Sequence, residues 1–210
     1  APEPRWMVVI AFLVTALLYA ALPKNLTVGP RWLQLVLISC LLIPTSLARH
    51  WKQIRLSIIL GHLLSAVNTT FMVISLVLLI RALPSGKETA THLLGSAALL
   101  WLTNVIVFAL WYWRLDAGGP HARSMEVGHT EGAFLFPQMV ISQQERDQAG
   151  QSAWAPNFLD YLFLAFNTST ALSPTDTAIL SRWAKALMMG QASISLSIIA
   201  LLAGRAVNIL

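Results

Sequence analysis

The residues best suited to chemistry lie in one short stretch, FNTSTALSPTDT, at positions 166–177. It combines many hydroxyl groups with one carboxylate, and it stands between an apolar run and a long apolar helix. Rings of oxygen ligands and acidic side chains line many ion pathways. The same stretch also suits a helix start, because Ser173, Pro174 and Asp176 match an N-cap, a first-position proline and a capping-box acid. Both interpretations stay open.

The composition decides which solvent surrounds these residues. Hydrophobic residues make up 56% of the 210 and charged residues only 11%, whereas soluble domains carry about a quarter charged residues. The chain must therefore place apolar surface in lipid. Its net charge of +5 suits anionic lipid headgroups, and no basic stretch interleaved with aromatics points to nucleic acid.

Other chemistries have little support in the sequence. The five histidines do not fall at ligand spacing, so we expect no metal and no cofactor. Paired intramembrane carboxylates and a nucleophile elbow are missing, so we do not expect an enzyme. The single Cys40 lies in an apolar run, which predicts a buried structural thiol.

Apolar runs of about 20 residues define the elements that must position the stretch. They predict an all-α, polytopic membrane helix bundle with five transmembrane helices, at residues 6–22, 32–47, 54–83, 90–113 and 183–209. The run at 158–172 is short and polar in its second half, which predicts a re-entrant helix and loop. The chain thus divides into a four-helix region (1–113), a polar or interfacial loop (114–157) and a pore-like unit (158–210).

The distribution of Lys and Arg bears on orientation. With the N-terminus inside and five full spans, nine of the 14 flank the cytoplasmic side and five the other, as the positive-inside rule prefers. The re-entrant segment then enters from the cytoplasm. Counting 158–172 as a sixth span weakens the bias, and the sequence leaves both arrangements open.

Polar residues in the last helix form two neighbouring stripes. Gly190, Ser193, Ser197 and Gly204 share one face, and Gln191 and Ser195 lie beside it. Small and polar residues of this kind pack helices closely. The functional alternative is that the face lines an oligomeric pore.

Four other polar residues lie inside or beside the apolar runs: His62, Asn68, Asn104 and Asp160. Intramembrane ionisable groups are candidates for function, although a lone histidine is more often bonded to a neighbouring carbonyl or hydroxyl. Asn104 is expected to bond between helices. Asp160 is expected to complement the N-terminal dipole of a helix.

The last quarter of the chain, YLFLAFNTSTALSPTDT and then SRWAKALMMGQASISLSIIALLAGRAV, resembles the pore region of potassium-type channels. The resemblance implies a tetramer, an inorganic ion and a pore helix that contains Thr168, with residues 171–175 (Leu172, Ser173, Pro174 and Thr175 among them) on the filter and Asp176 on the acid after it. These positions hold a proline and no glycine. We therefore expect hydroxyls of Thr168, Thr170, Ser173 and Thr175 at a constriction instead of a potassium-selective carbonyl ladder.

A second resemblance covers most of the chain. TNVIVFALWYWRLDAGGP, FLFPQ, ALSPTDTAILSRWAK and RAVNIL are similar to a group of small bacterial integral membrane proteins. It implies a multi-pass protein of the bacterial cytoplasmic (inner) membrane and implies nothing about activity.

Three functions follow as hypotheses. The leading one is a homo-oligomeric ion channel, or a degenerate relative of one, with the hydroxyl-rich loop and Asp176 at its constriction. The alternative is a non-conducting membrane scaffold or partner-binding subunit that uses the same motif for packing. The third is a secondary transporter that uses His62 or Asp160 for proton coupling.

Overall fold

The computed structural model describes residues 5–82, 89–125, 132–151, 154–170 and 176–206. Its helices are α1 (Trp6–Ala21), α2 (Leu33–His50), α3 (Ile54–Ala82), α4 (Ala90–Leu115), α5 (Pro120–Met125), α6 (Pro137–Val140), α7 (Gln143–Gln148), α8 (Phe158–Thr170) and α9 (Arg182–Ala206). Two short strands, β1 (Phe134–Leu135) and β2 (Ala178–Ile179), pair antiparallel. The predicted all-α class is confirmed, with this ribbon as a small addition.

Four helical stretches are long and apolar enough to cross a membrane: Leu33–His50, Ile54–Ala82, Thr91–Gly118 and Arg182–Gly204. The helix α1 has 16 residues, or about 24 Å at 1.5 Å per residue, somewhat less than the ~30 Å hydrocarbon core. The helix α8 has 13 residues and is shorter still. Apolar run length therefore predicted the long helices well.

The centre of the bundle is α4. In an 18-residue apolar stretch of α4, 67% of the residues are buried, whereas only 17% are buried in the matching stretch of α9. It packs against α1, α3, α8 and α9, and every residue of 103–110 is buried. A helix that is apolar on every side is stable in the middle of a bundle, where other helices cover all of its faces.

One end of the bundle collects positive charge. The beginning of α1, the α2–α3 connection and the end of α4 lie together there, because Arg5, Arg49, Ile54 and Arg114 line a common cavity. Lys52 belongs to the same connection, and Arg55 lies in the first turn of α3 directly after it. We call this the cationic end.

The apolar segment 133–141 in the polar loop packs on the bundle as a cover. Phe134 and Phe136 are buried. The Phe134 ring lies 5.2 Å from that of Tyr112 and 6.0 Å from that of Trp183, centre to centre. Aromatic burial of this extent holds the segment in place, since α6 within it is only four residues long.

Candidate functional site

The helix α8 begins with a reciprocal cap. The Asn157 side-chain oxygen accepts a hydrogen bond from the Leu159 N–H, and the Asp160 carboxylate accepts one from the Asn157 N–H, both at 2.8 Å. Asp160 lies in the first turn, where a carboxylate satisfies backbone donors and complements the dipole. The structural role predicted for Asp160 is confirmed.

A buried carboxylate, Asp116, joins four elements at the cationic end. One oxygen accepts from the Tyr161 hydroxyl at 2.7 Å and the other from the Ala133 N–H at 2.6 Å. Arg123 donates to the backbone oxygens of Trp113 and Asp116, each at 2.8 Å. Burying a charge is costly unless it is fully bonded, so this residue fixes the end of α4, α5, β1 and α8 together.

Sequence analysis missed this role of Asp116. The motif DAGGP ends α4: Gly118 and Gly119 both have positive φ, and the Gly119 N–H donates to the Asp116 carbonyl. The signal that was overlooked is an acid placed directly after a long apolar helix, followed within seven residues by Arg123.

Deeper in the bundle, Gln191 of α9 binds α8 and α4 at once. Its Nε2 donates to the Ala165 carbonyl at 2.7 Å and to the Ser169 hydroxyl at 2.8 Å. Its Oε1 accepts from the Tyr112 hydroxyl. Gln191 and Ser169 are both buried, so these bonds form away from solvent and between three helices.

Further bonds extend this cluster. Asn104 Nδ2 donates to the Gln191 carbonyl at 3.3 Å, the Ser195 hydroxyl donates to the Ser169 carbonyl at 2.6 Å, and Trp101 Nε1 donates to the Ser195 hydroxyl at 3.0 Å. The prediction that Asn104 bonds between helices is confirmed. We call the following six residues the α8–α9 polar cluster: Trp101, Asn104, Tyr112, Ser169, Gln191 and Ser195.

These contacts give the path of the chain along α4. Tyr161 near the start of α8 lies beside Asp116, whereas Ser169 near its end lies beside Asn104, roughly 18 Å further along α4. The chain then returns, because β2 pairs with β1 and the Leu180 N–H bonds the Ala133 carbonyl at 2.8 Å. Ala133 is the residue bonded to Asp116, so both ends of this excursion lie at the cationic end.

The predicted pore residues have mixed outcomes. The Thr168 hydroxyl donates to the Leu164 carbonyl at 2.8 Å, and that of Thr170 to the Phe166 carbonyl at 2.9 Å. Both hydroxyls are thus bonded within their own helix, although Thr170 and Asp176 are exposed. The following four predicted residues lie outside the described residues: Leu172, Ser173, Pro174 and Thr175.

One prediction for Asp176 is wrong. The SPTD motif predicted a helix from Pro174, with Asp176 in its first turn. The last helix instead begins at Arg182, and the Ser181 hydroxyl accepts from the Ala184 N–H at 3.3 Å. Ala178 and Ile179 are drawn into β2 because they pair with β1, and this tertiary pairing overrides the local helix signal.

The two stripes of α9 separate as the spacing predicted. Gln191 and Ser195 are buried, whereas Gly190, Ser193, Ser197 and Gly204 are exposed. Ala186 and Ala200 are also exposed and extend the stripe that contains Gly190 and Ser193. The exposed small-residue face therefore consists of Ala186, Gly190, Ser193, Ser197, Ala200 and Gly204, spaced alternately by four and three residues.

Other polar residues have ordinary partners, and one expectation is corrected. His62 Nδ1 bonds the Ile58 carbonyl at 2.8 Å, and Asn68 Oδ1 accepts from Gln34 Nε2 at 2.6 Å. Cys40 is exposed, so its prediction as a buried thiol is wrong; its apolar neighbours lie on the outer surface of α2. Within the described residues no group of three His, Cys, Asp or Glu could hold a metal ion.

A cavity of about 150 Å³ opens at the cationic end between α1, α2, α3 and α4. Arg5, Arg49 and Arg114 line it together with His62 and His121. Sequence analysis treated these arginines only as charges that flank spans, because nothing in their spacing shows that four helices bring them together.

Comparison with known proteins yields no relative: the chain matches no protein-family model, no curated protein and no solved structure. The two resemblances drawn from its motifs therefore stay predictions.

Proposed function

We propose that this chain is a subunit of a homo-oligomeric, multi-pass membrane protein that binds further copies, and that its 166–177 segment serves packing rather than conduction. The observation that carries the proposal is the α8–α9 polar cluster. Ser169 lies between the two predicted pore residues Thr168 and Thr170, and Gln191 lies on the candidate pore-lining side of α9, yet both are buried and bonded to one another. A side chain whose polar atoms are bonded inside the protein in this way does not coordinate an ion.

The exposed small-residue face supports assembly. Its alternating spacing of four and three residues is the period of a left-handed helix pair, and small side chains let helix backbones approach closely in lipid. Only 17% of the residues in the apolar stretch of α9 are buried within one chain. A second copy of α9 is the partner that matches this face in period and length.

The proposed membrane arrangement places the cationic end in the cytoplasm, as the positive-inside rule requires. The excursion of α8 then is a re-entrant helix that enters from the cytoplasm and returns there.

An oligomeric ion channel is the second candidate, favoured by one observation. Thr170 and Asp176 are exposed in the single chain, beyond the reach of the polar cluster. Copies of these two residues gathered about an axis would form rings of oxygen. The transporter hypothesis is weaker, since the cavity that reaches His62 also holds three arginines, which repel protons and metal cations.

Cysteine cross-linking tests the assembly. We would introduce Ser193→Cys or Ser197→Cys in a Cys40→Ser background and oxidise membranes containing each variant. Covalent dimers should form at both positions. Ile199→Cys is the matched control, because it is exposed on the same helix but lies about 160° around it from Ser197. Equal dimer yields at all three positions would sink the proposed interface.

Ion flux separates the two candidates. Liposomes containing the parent protein should show no more flux of K⁺, Na⁺ or Cl⁻ than empty liposomes. Flux that Asp176→Asn and Thr170→Val alter, with cross-linking at Ser193→Cys unchanged, would establish the channel instead.

A further inference from the structure

The cavity at the cationic end has an unusual balance of charge. Three arginines and two histidines line it, and none of its described lining residues is acidic. Arg5 and Arg114 line this one cavity, so their like charges repel. Gathering like charges at one place costs free energy, and an anion in the cavity would offset that cost.

Arg114 is the innermost of these cations. Its Nε donates to the Ser65 hydroxyl at 3.1 Å, and its guanidinium carbon lies 5.7 Å from the centre of the Trp113 ring. In the described part of the chain it makes no ion pair with a carboxylate. A largely desolvated guanidinium is costly without a counterion, and its planar fork suits the oxygens of a phosphate.

Gly61 makes this position of Arg114 attainable. A Cβ on Gly61 would lie 1.7 Å from Arg114 Nη1 and 2.6 Å from Cζ. The guanidinium thus lies directly on the backbone surface of α3, in space that any other residue would occupy. The fold therefore provides both the positive charge of Arg114 and the groove at Gly61 that holds its guanidinium.

The remainder of the lining is apolar and reaches the outer surface. Val9, Ile54 and Ile58 line the cavity and are 37%, 42% and 42% exposed. A ligand with its anionic group at Arg114 could therefore extend a hydrocarbon chain along these residues. The cavity matches an amphiphile better than a free ion, which would leave this apolar lining uncovered.

We propose that this cavity binds an anionic membrane phospholipid, with its phosphate against Arg114 and Arg49 and its acyl chains along Ile54 and Ile58. Basic pockets between helices at the cytoplasmic membrane surface suit such headgroups. The site is independent of the α9 interface, since none of the residues of that face lines the cavity.

The test is lipid binding to the purified full chain in neutral detergent, measured by native mass spectrometry. Phosphatidylglycerol should bind saturably and phosphatidylcholine should not compete, because its choline group would meet the arginines. Arg114→Gln should weaken the binding roughly tenfold to a hundredfold, the worth of a charge-assisted hydrogen bond. Arg49→Gln tests the same site with an exposed residue, in case Arg114→Gln fails to fold.

Two further variants separate position from charge. Gly61→Ala keeps every charge but displaces the Arg114 guanidinium, and it should weaken binding at least several-fold. Arg55→Gln changes an exposed arginine in the first turn of α3 that does not line the cavity, and it should leave binding unchanged. Equal losses in Arg55→Gln and Arg49→Gln would reduce the effect to surface charge and overturn the site.

Inorganic phosphate distinguishes the source of the anion. It should displace phosphatidylglycerol only at concentrations far above that of the lipid. Displacement at comparable concentrations would assign the cavity to a soluble phosphate and overturn the lipid proposal, as would equal affinity for the two lipids.

Discussion

At the scale of single residues, one amide decides how α8 is held. Gln191 uses both ends of its side chain, and its three partners lie on α4 and α8. Because each partner is buried, none can turn to water when the amide is removed. Gln191 thus links α9 to α4, which is far from it in sequence, and stabilises the short helix α8.

Gln191→Leu should lower the free energy of unfolding by about 1–3 kcal/mol, because the Tyr112 and Ser169 hydroxyls lose a buried partner while volume is kept. Reversible unfolding from mild detergent into SDS measures this. Ile199→Val is the control, since Ile199 is exposed on the same helix and lies away from the exposed small-residue face, and it should change stability by less than about 0.5 kcal/mol. A Gln191→Leu protein as stable as the parent would contradict the importance of the cluster.

At the scale of elements, the cationic end depends on Asp116. The carboxylate holds the first turn of α8 through Tyr161 and the start of the ribbon through Ala133. Neither α8 nor β1 is long enough to be stable alone. Their order therefore comes from this contact and from the aromatic packing of Phe134 and Phe136.

Asp116→Asn should loosen the ribbon while the long helices stay formed. The amide keeps the volume but loses the charge that strengthens the bonds from Ala133 and Tyr161. Hydrogen exchange at the Ala133 and Leu180 amides should become roughly 5- to 150-fold faster, the equivalent of about 1–3 kcal/mol.

Two comparisons check the cause. Tyr161→Phe removes only one of the two side-chain bonds, so its effect on the same amides should be smaller. Exchange along α3 should stay at its parent rate in both variants. Uniform acceleration over the whole chain would mean that Asp116 supports global stability and not this end in particular.

The elements also show how far local sequence reaches. Apolar run length predicted the long helices, and helix-start chemistry predicted the role of Asp160. Apolar run length also placed the start of α9 within one residue. The strand that replaces the helix expected from SPTD could not be predicted in this way, because Ala178 pairs with a residue some 40 positions earlier. The cavity was hidden for the same reason: the placement of Arg114 over Gly61 is a property of packed helices and leaves no periodic trace in either one.

At the scale of the whole molecule, charge is distributed unevenly between the two ends. Arg49, Lys52 and Arg55 lie at the cationic end with Arg5 and Arg114. In bacterial membranes such an excess marks the cytoplasmic side. Orientation is therefore a direct physical prediction of the fold, independent of any function.

Site-directed labelling checks it. In a Cys40→Ser background, Asn25→Cys in the α1–α2 connection should react with a membrane-impermeant maleimide in intact bacterial cells. Gln148→Cys in α7 should react only after permeabilisation. Reaction of both in intact cells, or the reverse pattern, would reject the proposed orientation; whole-cell lysate labelling of both variants controls for reactivity.

The pairing of β1 with β2 has a consequence for biogenesis. Phe134 and Leu135 leave the ribosome roughly 40 residues before their partners Ala178 and Ile179, which is about 2–9 s at ordinary rates of protein synthesis. During that interval the aromatic cover has no strand to dock on, although α1 to α4 have already been made. Phe134 can pack on Tyr112 of α4 in that interval, but its pairing with Ile179 and its contact with Trp183 form only after those later residues have been made, so the cover is completed last.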